Sequence, residues 1–170
     1  MKDSYFLKPR NMYWSEEHED LVNFLTSGRN ASDAAGERRE ARIFEFNVHV
    51  IVFAAVVGLL EGRRKEMSGG RKEVSTAIFE NHSVDGYIFL VALLSGKDVD
   101  LDLFRDEAGE ERAIRLFEEY ANGGLSYLME RMTVSLHHEP EQFLLSILKE
   151  RGVEFNASAQ PSEKAIKLFS

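Results

Sequence analysis

Five basic residues, Arg63, Arg64, Lys65, Arg71 and Lys72, form the densest positive cluster in the chain. Guanidinium and ammonium groups both grip phosphate oxygens, so this stretch is the first candidate for binding nucleic acid or another anion. The same residues also suit a solvated loop whose cations follow a helix C-terminus. Ser68-Gly69-Gly70-Arg71-Lys72 lacks the G-x-x-x-x-G-K-[ST] spacing of a phosphate-cradling loop, and neither G-x-G-x-x-G nor G-x-S-x-G occurs. These absences argue against an ordinary nucleotide hydrolase, dinucleotide enzyme or serine hydrolase.

Carboxylates are the next candidates. Asp98, Asp100, Asp102 and Asp106 could hold a divalent ion, since hard cations prefer oxygen ligands. Their spacing nevertheless lacks the glycine and the closing glutamate of a calcium loop. Glu110-Glu111 and Glu118-Glu119 are adjacent on a helix, and adjacent side chains point about 100° apart, so a solvated face is expected for both pairs. The histidines, His18, His49, His82, His137 and His138, include no pair at the i, i+4 spacing of a helical zinc site. No metal site and no cofactor is expected.

Composition narrows the field further. The chain of 170 residues suffices for one compact domain, and 44% hydrophobic with 29% charged residues describes a globular protein. Cysteine is absent, which removes disulfides, thiolate metal sites and a cysteine nucleophile, and fits a reducing compartment. The net charge of -8 argues against holding nucleic acid by overall charge, leaving only a local basic patch for that role. The N-terminus has no apolar core segment, and the apolar run Val50–Leu60 falls short of the ~20 residues that span a bilayer. A cytoplasmic protein that does not enter a membrane is expected.

The elements that must position these groups read as mainly α: a single compact helical domain over 15–155, with room for a short strand or hairpin, an N-terminal arm over 1–14 and a tail over 156–170. A helix is expected from Ser15, as N-cap, to Gly28, followed by an exposed loop over 29–39. Val50–Leu60 reads as a buried helix ending near Gly62. Val74–Glu80 has no clear type. Val84–Leu94 reads as a helix capped by Ser83 or Asp85 and ended by Gly96. Lys97–Asp106 reads as a connection pinned to the core by Val99, Leu101, Leu103 and Phe104.

The clearest helix runs from Glu107 toward Met132, burying Ile114, Phe117, Ala121, Leu125, Leu128 and Met132. On its surface Glu111 with Arg115, and Arg115 with Glu119, stand four apart and should pair. Gly123-Gly124 interrupts it and is read as a place of close helix packing. Pro140 opens a last core helix carrying Phe143, Leu144, Ile147 and Leu148.

Three blocks occur in order across about two-thirds of the chain: Phe53-Ala54-Ala55-Val56-Val57-Gly58-Leu59-Leu60 leading into Gly62-Arg63-Arg64-Lys65, then Ile78-Phe79-Glu80, then Leu116-Phe117-Glu118-Glu119-Tyr120-Ala121-Asn122-Gly123-Gly124-Leu125. From Phe44 to about Phe155 this order resembles the DNA phosphorothioation-associated protein 4 family, with little resemblance in the N-terminal segment or the tail. The resemblance implies a place in gene clusters that replace a non-bridging phosphate oxygen of DNA with sulfur and use the mark to tell self from invading DNA. It implies partners among the modification and restriction proteins, and a role outside sulfur transfer, which a cysteine-free chain cannot perform. It brings no catalytic residues. Tyr120, Asn122, Gly123 and Gly124 are motif positions without assigned chemistry, open either to a structural reading, an aromatic packed against a glycine notch, or to a binding site.

The leading expectation is therefore an accessory, non-catalytic protein of a phosphorothioate-linked phage-defence system, acting through protein partners, with any DNA contact made by the Arg63–Lys72 loop. A metal-dependent, nuclease-like or hydrolytic restriction component is the alternative. A helical transcriptional regulator with a helix-turn-helix near Lys72–Leu94 ranks last, because Tyr87–Leu94 is too apolar for a recognition helix.

Overall fold

The computed structural model describes residues 5–27, 43–134 and 140–150. The chain divides into two compact units, 1–136 and 137–170. Among the described residues there are six α-helices and one two-stranded sheet, a mainly α architecture as expected.

The centre of the first unit is a pair of helices, α2 (Asn47–Leu60) and α5 (Glu107–Val134). The first is apolar on nearly every face, as the sequence requires of a buried helix, and Val50, Ala54 and Ala55 are fully enclosed. The second presents Ile114, Phe117, Ala121, Leu125 and Leu128 as its buried stripe, while Met132 is only half-buried. Glycines bring the two backbones together. A Cβ added at Gly124 would lie 1.7 Å from the Ala54 carbonyl oxygen, and one at Gly58 would lie 2.1 Å from that of Tyr120. The close packing expected at Gly123-Gly124 is present, with Gly58 as its counterpart. It is the Tyr120 backbone, rather than its ring, that meets the notch.

α2 ends in a Schellman cap. Gly62 takes φ +62°, its N–H donates to the Leu59 carbonyl (3.2 Å), and the Arg63 N–H reaches back to Gly58 (2.8 Å).

The N-terminal region differs from the expected helix. Residues Asn11–Ser15 form β1, paired antiparallel with β2 (Arg71–Ser75), Met12 opposite Val74 and Trp14 opposite Lys72. Met12 and Trp14 alternate with polar neighbours and are buried, the period of a half-buried strand. Ser15 ends this strand and its side chain makes no capping bond. A 3-10 turn over Glu16–His18 follows, then α1 (Glu19–Ser27). The expected helix end at Gly28 and the loop over 29–39 lie outside the described residues.

Val74–Glu80 resolves into the end of β2 and α3 (Thr76–Asn81), capped by Ser75, whose hydroxyl accepts the Ala77 N–H at 3.3 Å. α4 (Gly86–Leu94) packs on α5. Asp85 precedes it without a side-chain capping bond, and Ser83 adopts φ +61°, the left-handed region. The connection after α4 contains a 3-10 turn over Leu101–Phe104. Only Leu103 of its four apolar residues is buried. Phe104 stacks on Phe89 at 4.8 Å, and Val99 and Leu101 face solvent, so the expected pinning is partial.

The second unit contains α6 (Pro140–Glu150), where Phe143, Leu144 and Ile147 are buried and Leu148 is half-buried. Among the described residues no helix is long and apolar enough to cross a membrane. The tail over 156–170, His137 and His138 lie outside the described residues.

Candidate functional site

The five cations expected to act together are divided among three places. Arg63, Arg64 and Lys65 lie on the connector leaving α2 and are drawn onto α5. Arg63 pairs with Glu130 (3.3 Å) and places its guanidinium 5.6 Å from the Tyr127 ring centre. Arg64 binds the buried Glu119 carboxylate. Lys65 Nζ contacts Glu17 and the Ser126 hydroxyl, each at 3.0 Å. Lys72, on β2, pairs with Glu19 at 3.0 Å. Arg71, one residue earlier, faces a different surface.

The motif residues fasten this connector. Asn122 is fully buried, and its amide donates to the carbonyls of Lys65 (3.3 Å) and Glu66 (3.2 Å). Gly123 lets the Arg63 carbonyl approach, since a Cβ there would lie 2.0 Å from that oxygen. Beneath them His18 is buried, its Nε2 3.3 Å from both the Ser126 hydroxyl and a Glu17 oxygen. Burial depresses the His18 pKa, and the Glu17 charge opposes that shift. The Lys65 ammonium holds the Glu17 carboxyl below its ordinary range. No sequence motif or spacing singles out His18, because its partner on α5, Ser126, is more than a hundred residues away.

A second cluster lies where β1 and β2 meet the N-terminal half of α5. A cavity of about 450 Å³ there is lined by Arg10, Asn11, Tyr13, Arg71, Arg115 and Glu118, among others. Arg10 is fixed as one wall: Nε donates to the buried Glu110 (3.0 Å), Nη1 to Glu111 (3.0 Å) and Nη2 to Glu107 (3.4 Å). Glu118 accepts the Tyr13 N–H at 2.7 Å. Burial pushes its carboxyl up to about 7, against the opposing pull of that N–H and of Arg71 and Arg115.

These carboxylates correct the expectation of solvated faces. Glu110 and Glu119 are buried and Glu118 is half-buried, because the segment entering β1 lands on Glu110, β1 on Glu118 and the connector on Glu119. Glu111 and Glu119 pair with Arg10 and Arg64, in place of the expected helical pairs with Arg115.

Asp100, Asp102 and Asp106 of the connection have structural partners instead of a shared centre. Asp102 pairs with Arg105 (3.1 Å), Asp100 with Arg112 (3.2 Å), and Asp106 accepts the Gly109 N–H (2.8 Å) at the start of α5. Among the described residues no group of three or more His, Asp or Glu side chains is arranged to hold a metal ion.

The blocks 53–65 and 116–125 thus meet as one packed unit in space. A sequence model of the family described as DNA sulphur modification system-associated protein 4 matches residues 13–165. The chain belongs to that family. The match extends beyond the Phe44–Phe155 span of the resemblance at both ends, taking in most of β1, α1 and part of the tail. No curated protein and no solved structure matches the chain. Family membership associates the protein with a DNA sulphur modification system.

Proposed function

We propose that the protein is a non-catalytic accessory component of its DNA sulphur modification system that works by docking onto another protein of that system. The observation that carries this reading is the outer face of α4. This helix is apolar all round, a composition ordinarily reserved for a fully buried helix, yet Tyr87, Leu90 (45% exposed) and Leu94 (62%) form a stripe in solvent. Val99 and Leu101 are also exposed on the connection that follows. Exposed Asp98, Asp102 and Asp106 belong to the same connection. The fitting partner is a system protein with an apolar docking face bordered by cations.

The reading extends to a cytoplasmic role in restriction and phage defence alongside that system. Pairing of Arg63, Arg64 and Lys65 on the connector, and of Lys72 on β2, with carboxylates argues against DNA contact by these four cations.

Pull-down with the purified modification and restriction proteins tests the proposal. The wild-type chain should retain one of them, and Leu90→Asp with Leu94→Asp should weaken retention at least about tenfold, because apolar anchors dominate such interfaces. The circular dichroism spectrum should stay unchanged, since both side chains already face water. Absence of association, with no effect of gene deletion on modification or phage restriction, would sink the reading.

A further inference from the structure

Arg71 and Arg115 stand apart from the other cations near α5. Each lines the cavity between the sheet and α5, and each acts on Glu118. Neither forms an ion pair with a carboxylate among the described residues, whereas Arg10 beside them has all three side-chain nitrogens engaged. Both guanidiniums attract the half-buried Glu118 carboxyl without bonding it, and Glu111, the other acid of the lining, is taken by Arg10, so the groove holds two cations with no carboxylate bonded to them. That charge sits over a concave surface with room for a ligand.

We propose that Arg71 and Arg115 form a two-armed clamp for a phosphodiester oxyanion of DNA, seated over Glu118 in this groove. Guanidinium matches the oxygens of such a group by paired N–H donors. DNA as the source rests on the family's association with DNA sulphur modification; the oxyanion chemistry rests on the groove alone.

Glu118 decides when the clamp is charged. Ionised, it cancels one of the two guanidinium charges and repels the incoming anion. Protonated, it leaves both cations uncompensated and offers an O–H donor to a phosphate oxygen. Burial places that change near pH 7. The groups facing it are the Tyr13 N–H from β1, Arg71 from β2, and Arg115 and Glu119 from α5, with Arg10 and Glu111 at the cavity wall. Anion binding therefore takes up a proton, and affinity rises as the pH falls through this range.

Fluorescence anisotropy of a short labelled duplex at low salt provides the test. Binding should be about tenfold tighter near pH 6 than near pH 8, the ratio of protonated Glu118 at those values. Glu118→Gln should bind tightly at both, which assigns the pH dependence to Glu118. Arg71→Ala and Arg115→Ala should each weaken binding at least about tenfold. Both guanidiniums lie on exposed residues, so these variants should keep the wild-type melting curve.

A pH dependence unchanged in Glu118→Gln would overturn the proposal. So would wild-type affinity in both arginine variants, or its loss in Arg63→Ala and Arg64→Ala instead. Equal competition by inorganic phosphate would name the free ion as ligand and overturn the DNA assignment. The docking reading fails separately, in the pull-down, because Leu90→Asp with Leu94→Asp should leave the anisotropy curve untouched.

Discussion

Asn122 spends its amide on two carbonyls of a chain segment that has no regular structure of its own. Replacing it by Ala removes both bonds and opens a small polar void beside His18. The expected loss is about 1–3 kcal/mol, the range for deleting buried hydrogen-bonding groups, read as a lower urea midpoint at unchanged slope. The residue belongs to a motif visible in the sequence, but its role is not legible there, because both acceptors are backbone atoms of a distant segment. Glu110 and Glu118 teach the converse. Their spacing on α5 is that of a solvated face, and nothing local announces that Arg10, Tyr13 and Leu7 come to meet them. A carboxylate's environment is set by what lands on its helix.

At the scale of elements, the apolar runs made α2, α5 and α6 readable, since burial follows directly from their periodicity and composition. Gly123-Gly124 was readable as close packing for the same reason: glycine inside a helix is unfavourable unless something needs the space. β1 was missed because the polar start Ser15-Glu16-Glu17 imitates a helix cap, although Met12 and Trp14 already alternate as a strand would. The depth of the notch makes a sharp prediction. In Gly124→Ala the new methyl would lie 1.7 Å from the Ala54 carbonyl oxygen, so rigid backbone must move. The destabilisation should reach about 3 kcal/mol or more, at the upper end for overpacking, and show as a lowered melting temperature with retained helical content. Ala at Gly62 acts differently: nothing lies within 4 Å, and the cost there comes from φ +62° alone.

For the whole molecule, a net charge of -8 proved a poor guide to where charge is free. The basic cluster is contiguous in sequence but not in space. Arg71 and Lys72 alternate to opposite faces of β2, and the connector cations are consumed by acids of α5 and the 3-10 turn. Among the described residues, the groups left available include an apolar helix face on one element and two guanidiniums in a groove on others. The connector also has a dynamic signature. The amide of Arg63 is bonded to Gly58 (2.8 Å) and that of Lys65 to Glu119 (3.1 Å), although neither residue lies in a helix or strand. Among the described residues no backbone bond holds the amides of Met67, Ser68 and Gly69. In deuterated water the first two amides should exchange nearly as slowly as the interior of α2, and the last three orders of magnitude faster. Such a boundary would mark where the rigid frame stops and the approach to β2 can breathe. Uniform fast exchange from 63 to 69 would mean instead that the sheet is tethered to the helices loosely.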